Sequence, residues 1–200
     1  MSGQITIASV VEGHGEVRAL PVLLRRITQA AGIWDIKIPE PHRIPRGTLV
    51  APNGVESAVR KVAALNAISA GGILVLADSD DDCPATLGPE LLARARQARA
   101  DKNISVVLAH REFEAWFLAA ATSLSGCRGL ADPLQPPDNP EGIQGAKEWL
   151  TARKVDGTPY KETADQAALA GTFDLVEARK AAPSFDKFCR DVERLIEGGS

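Results

Sequence analysis

Several things this sequence lacks narrow its reading at once. Cysteine is scarce: Cys83, Cys127 and Cys189 are the three in 200 residues. They are few, odd in number and far apart, which argues against a disulfide framework or a thiolate zinc cluster and fits a reducing cytoplasm. No apolar run approaches the roughly 20 residues of a membrane-spanning helix. The first eleven residues carry no basic n-region and are too short for a signal sequence, so no membrane association is expected. A global basic field is also missing. The net charge is −3, which advertises neither a polyanion nor an acidic membrane. Gly13 and Gly15 lack the third glycine of a dinucleotide fingerprint, because Arg18 stands there, and no Gly-Lys-Ser/Thr follows. Dinucleotide loops and Walker-type phosphate loops are thereby excluded. There is no internal repeat, and no low-complexity segment beyond the Gly-Gly-Ser end.

What is present is an ordinary globular composition, 44% hydrophobic and 24% charged, long enough for one domain with a real core. Its centre is the stretch Leu74-Val-Leu-Ala-Asp-Ser-Asp-Asp-Asp82. The run from Ile73 to Ala77 is short, aliphatic and β-rich, as in a strand buried in the middle of a parallel sheet. Four of the next five residues are aspartate. Ligands bind at the carboxyl ends of strands in open α/β sheets, so Asp78, Asp80, Asp81 and Asp82 fall where chemistry is expected. Crowded carboxylates repel unless a proton or a cation relieves them, and Mg²⁺ or Mn²⁺ suits oxygen donors. The plain alternative is an aspartate-rich turn capping the next helix.

The same pattern occurs twice more. Gln4–Val11 reads as a strand ending at Glu12-Gly-His-Gly-Glu16, followed by a helix to Ala31 with Leu20, Leu23, Leu24 and Ile27 on one face. Ile104–Ala109 reads as a strand ending at His110-Arg-Glu-Phe-Glu114. Glu112 and Glu114 share a face only if the chain is still extended there; otherwise one points to solvent. Between these lie a short strand at Trp34–Ile38 and a proline-rich basic loop at 39–52. A helix then runs from Asn53 to Ser69 and is broken by Gly71-Gly72, and another spans about 86–102. Alternating strands and helices imply a mainly parallel sheet of about four strands flanked by helices. Past Ala109 no strand is expected. Gly126–Gly142 reads as loop, and helices follow at about 143–153, 163–170, 175–180 and 184–197, packed on the sheet edge. Ser184 is the expected N-cap of the last. From Val17 to Lys61 eight basic residues face three acids. A basic region near an acidic site suits a phosphate-bearing substrate, although a solvated basic face would look the same.

Glu12-Gly opening a helix, followed by Asp78-Ser-Asp80, resembles the Toprim domain of topoisomerases, primases and the overcoming-lysogenization-defect nucleases. Val11-Glu-Gly-x-Gly-Glu16, Leu76-Ala-Asp-x-Asp-Asp-Asp82, Arg111-Glu-Phe-Glu-Ala-Trp-Phe-Leu118, Tyr160-Lys161 with Asp165-Gln166, and Ser184-Phe185 also resemble a small bacterial family of unknown function classed as Toprim-like. That family is often encoded beside ATPase genes, some of them read as phage-defence loci. The resemblance covers nearly the whole chain. It implies a Toprim-like α/β domain over 1–125 and a helical extension over 126–200. It further implies that Glu12 is a general acid/base or metal ligand and that Asp78 and Asp80 hold Mg²⁺. Glu16, Asp82, Glu112 and Glu114 are candidates for further metal ligation, and Lys161 for balancing phosphate charge. Arg18, Arg43, Arg46 and Arg111 are candidates for nucleic-acid contact. His14 has no counterpart role.

Three functions follow as expectations. The first is a divalent-metal-dependent nuclease hydrolysing phosphodiester bonds of DNA or RNA, with a partner ATPase. The second is another Asp-x-Asp metal-dependent enzyme, either a nucleotide-sugar transferase or a phosphatase using Asp78 as nucleophile. The phosphatase pattern wants Thr or Val where Asp82 stands. The third is a non-catalytic regulatory or binding subunit of an ATPase complex.

Overall fold

A computed structural model describes residues 4–198, so Gly199 and Ser200 of the Gly-Gly-Ser end lie outside the described residues. The sheet has five strands: β1 (Ile5–Val11), β2 (Ile36–Lys37), β3 (His42–Arg43), β4 (Ala70–Asp78) and β5 (Ile104–Ala109). All its pairings are parallel, in the order β2-β1-β4-β5, with β3 also on β1. Because β4 occupies one side of β1 along its whole length, β2 and β3 are two pieces of the opposite edge. The interruption falls at Pro39 and Pro41, which have no N–H to give a ladder. The expected proline-rich loop at 39–52 is therefore partly ordered, containing β3 and the short helix α2 (Arg46–Val50).

β4 is buried at every residue between β1 and β5, as its continuous apolar run requires. Gly71 and Gly72 do not break a helix. α3 (Gly54–Leu65) has already ended, and both glycines lie within β4. Gly71 has φ +90°, and a Cβ there would sit 2.3 Å from the Thr6 carbonyl oxygen. At Gly72 a Cβ would meet the Asn103 carbonyl at the same distance. The glycines serve close backbone approach.

Side chains alternate across the sheet. Ala8, Val10, Ile73, Val75, Val106 and Leu108 pack under α3 and α4 (Pro84–Ala98). Ile7, Val11, Leu74, Leu76, Val107 and Ala109 face a larger layer of α1 (Glu16–Ala30), α5 (Ala115–Ala119), α7 (Ala167–Thr172), α8 (Leu175–Ala181) and α9 (Pro183–Glu197). α9 thus lies across the face of the sheet and not at its edge. Phe185, Phe188, Val192 and Leu195 are fully buried there, and each contributes about 1.5–3 kcal/mol of transfer free energy. The helical extension and the α/β part share one core.

Ser184 is not the cap of α9. It sits inside the first turn, and its Oγ accepts from His110 N–H (3.2 Å) and Trp116 Nε1–H (2.8 Å) and donates to Glu141 Oε1 (2.5 Å). The hydroxyl joins three distant segments. The segment expected to be helical at 163–170 opens as a π-type turn, Glu162–Gln166, before α7. The remaining helix, α6, spans Ala146–Ala152. Among the described residues no helix is long and apolar enough to cross a membrane.

Candidate active site

Parallel strands end on the same edge of the sheet. Val11 is opposite Leu76, and Asp78 is opposite Ala109. Glu12, Asp78 and the turn after β5 are therefore neighbours. They open onto a cleft of about 600 Å³ lined by Glu12, Asp78, Asp80, Asp81 and Glu112, with Arg111, Lys147 and the Gln144–Gly145 segment completing the wall.

The strand tips are bonded to one another. Asp78 N–H donates to Glu12 Oε2 (3.3 Å), and Phe113 N–H donates to Asp78 Oδ1 (2.8 Å). Ser79 N–H reaches the Ala109 carbonyl (2.9 Å), Arg111 N–H reaches Ser79 Oγ (2.8 Å), and Asp80 N–H reaches the Arg111 carbonyl (3.1 Å). Two residues in this weave are left-handed, Asp80 at φ +48° and Arg111 at φ +63°. Such conformations cost about 1–3 kcal/mol each and persist where surrounding bonds over-determine them, commonly at functional sites.

The acids strain one another electrostatically. Burial raises the Glu12 carboxyl above its ordinary value, and Glu16 and Asp80 add to the rise. Asp78 is pushed well up, first by burial and then by Glu114, Glu16 and Glu12. Glu114 is wholly buried one layer behind the cleft, and burial pushes it up to about 7. Its Oε1 accepts from Tyr160 O–H (2.9 Å) and Gln166 Nε2–H (3.1 Å), while Oε2 is buried without a hydrogen bond. Lys147 Nζ lies 4.0 Å from that oxygen and 2.5 Å from Glu162 Oε1. Burial opposes its charge, but Glu114, Glu162 and Asp78 outweigh burial and raise its pKa.

The sequence-predicted residues separate by position. Glu12, Asp78, Asp80, Glu112 and Arg111 come together in the cleft. Glu112 is partly committed, since its Oε1 accepts from Ala146 N–H (2.9 Å). Glu16 is buried beneath the Glu12 turn and holds Gly13 N–H. Asp82 is exposed and pairs with Arg46. Glu112 and Glu114 diverge: Glu112 lines the cleft, while Glu114 is buried behind it and is not placed as the metal ligand the resemblance offered. Arg46 spans the tip of β4, donating to the Asp78 and Ser79 carbonyls (3.1 Å each) and pairing with Asp80 at 3.3 Å. Arg43 donates to the Glu12 carbonyl (3.1 Å). These two half-buried arginines brace strand ends, Arg46 through several bonds and Arg43 through one, whereas Arg18 and His14 are exposed on and before α1. Lys161 is not in the cleft; it lines a separate cavity with Arg128 and Lys154. The lysine at the acidic site is Lys147, brought there by the start of α6 with no local signature in the sequence.

A family described as Domain of unknown function (DUF4276) matches residues 11–193. The chain belongs to this family. No curated protein and no solved structure matches it. The DUF4276 match begins one residue before Glu12 and ends within α9, so it takes in every residue of the cleft.

The donor set can be tested against a divalent cation. Among the described residues no three His, Cys, Asp or Glu side chains converge closely enough to hold a metal. The chemistry of the donors nonetheless fits. All are hard carboxylate oxygens, Asp78 keeps Oδ2 outside its bond to Phe113, and the rises at Glu12 and Asp78 come partly from mutual repulsion that a cation would relieve.

Proposed function

We propose that this DUF4276 protein is a divalent-metal-dependent nuclease of Toprim type, hydrolysing phosphodiester bonds of DNA or RNA in the cytoplasm, with an ATPase as partner in a phage-defence system. The observation that carries the reading is the gathering of Glu12, Asp78, Asp80 and Glu112 from three strand ends in one open cleft, with Arg111 and Lys147 on its wall. Asp78 and Asp80 would hold Mg²⁺ or Mn²⁺, which is commonly bound through one or two carboxylates and would supply Lewis-acid polarisation of a phosphoryl oxygen. Glu12 has its affinity for a proton raised by burial, so it is suited to accept one from the attacking water. Lys147 and Arg111 balance the negative charge that grows on the phosphoryl oxygens. Arg43 and Arg46 keep the strand tips in register through backbone carbonyls.

A cleavage assay with Mn²⁺ on plasmid, single-stranded DNA and transfer RNA tests this, beside Asp80→Asn. That side chain is half exposed and asparagine tolerates positive φ, so the variant keeps the fold. Cleavage by the wild type that disappears in the variant is expected; cleavage unchanged in the variant would remove the acids from the chemistry.

A second reading, a regulatory or binding subunit of an ATPase complex, draws on the lack of three converging metal donors among the described residues. Co-purification with an ATPase, with no turnover in the assembled complex, would favour it.

A further inference from the structure

A second cavity of about 460 Å³ lies at the same edge of the sheet, next to the acidic cleft. Residues lining one are chain neighbours of residues lining the other. Asp80 and Asp81 belong to the cleft and Cys83 to the second cavity; Arg111 belongs to the cleft and His110 to the second cavity. The walls are largely carbon, from Pro84, Pro89, Leu108 and Pro183. Two further polar groups of its lining are already occupied. Glu141 accepts from Ser184 N–H (2.9 Å) and Oγ–H, and Lys187 Nζ donates to the Val106 carbonyl (2.8 Å) and Asp191 (2.6 Å). Two groups stand at the rim, each already paired on one side: His110 Nδ1 lies 3.8 Å from Glu141 Oε2, and Arg190 Nε lies 3.0 Å from Asp186 Oδ2. The His110 side chain is 42% exposed, and that of Arg190 is 57% exposed. A ligand is thus offered apolar walls, an imidazole edge and a guanidinium. That combination suits a flat heteroaromatic ring attached to a phosphate, because apolar surface takes the ring and a few polar groups fix its orientation.

We propose that this cavity is the base-binding subsite for the nucleotide next to the phosphate held in the acidic cleft. The inference rests on the nuclease reading and adds to it that the substrate is a strand with at least one unstacked base. A base packed in a duplex presents no free face to such walls, so single-stranded or locally opened nucleic acid is the substrate class.

The test measures binding by fluorescence anisotropy in the Asp80→Asn background, where cleavage is absent and one repelling charge is gone. The probes are a short labelled single-stranded oligonucleotide of mixed sequence and an abasic oligonucleotide with the same number of phosphates. The base-bearing probe should bind about tenfold more tightly. Ala85 lines the cavity at an exposed position in the first turn of α4, so Ala85→Leu fills space there without entering the core and without adding a ring on which a base could stack. It should bring the base-bearing probe to the abasic affinity while leaving the abasic probe unchanged, and His110→Ala should narrow the gap several-fold. Equal binding of the two probes by the parent, or a preference that survives Ala85→Leu, would overturn the subsite while leaving the nuclease reading standing. Failure of both probes to bind would overturn both.

Discussion

Replacing Glu114 by glutamine should change how the stability of this protein depends on pH. The carboxyl is wholly buried, and burial moves it from 4.5 to about 7. A rise of that size corresponds to about 3 kcal/mol of preference for the neutral form in the folded state. The folded-state pKa lies above the unfolded one, so this contribution is fully present below 4.5. It declines as the pH rises and is lost above about 7. In glutamine the amide oxygen can still accept from Tyr160 and Gln166, which both bond Oε1. Near pH 5 the variant and the wild type should therefore be about equally stable. Near pH 8 the variant should gain on the wild type by about 3 kcal/mol, a figure that already includes the attraction of Lys147 for an ionised Glu114. Asp78 adds in the same direction, since Glu114 is the first of the charges that raise it. The assay is urea unfolding of both proteins at the two pH values with a chelator present. A stability difference that does not move with pH would refute the assignment of Glu114 as a buried, reluctantly ionised acid.

Mn²⁺ at a hundred times its Kd should stabilise the protein by about 2.7 kcal/mol, visible as a rise in Tm that grows with pH as the acids ionise and is lost in Asp78→Asn. Lys147→Gln should lower the nuclease rate by about two orders of magnitude or more, while Lys161→Gln leaves the rate within a few-fold; the reverse result would restore Lys161 to the site. Ser184→Ala should cost at least about 2 kcal/mol, because the Trp116 indole N–H and the His110 amide both lose their acceptor. Urea unfolding followed by tryptophan fluorescence measures that loss.

The parts of this fold that could be read from the chain are those whose cause is local. β1, β4 and β5 are β-rich, mostly apolar runs, and such runs are comfortable in a parallel sheet with helices above and below. Their acidic ends follow from the same runs. β2 falls within the strand expected at 34–38, whereas β3 has no local signal, because a strand of two residues beside prolines owes its existence to the edge of β1. Gly71 and Gly72 look like helix breakers to any local rule; only the proximity of the Thr6 and Asn103 carbonyls explains them.

By itself the sequence determined that acids would stand at three strand tips of a parallel sheet, since strand direction and strand ends are local properties. Tertiary packing decided which of those acids meet open space. Glu112 and Glu114 are two residues apart, yet one lines the cleft and the other is sealed beneath Tyr160 and Gln166, 46 and 52 positions further on. Packing also supplied Lys147 in place of Lys161, turned Arg43 and Arg46 inward to brace carbonyls, and made Ser184 a junction in place of a cap. Spacing along the chain fixes the periodicity of a segment. Burial and partnership are set by contacts with residues far away in the chain, and those exist only once the layers have closed.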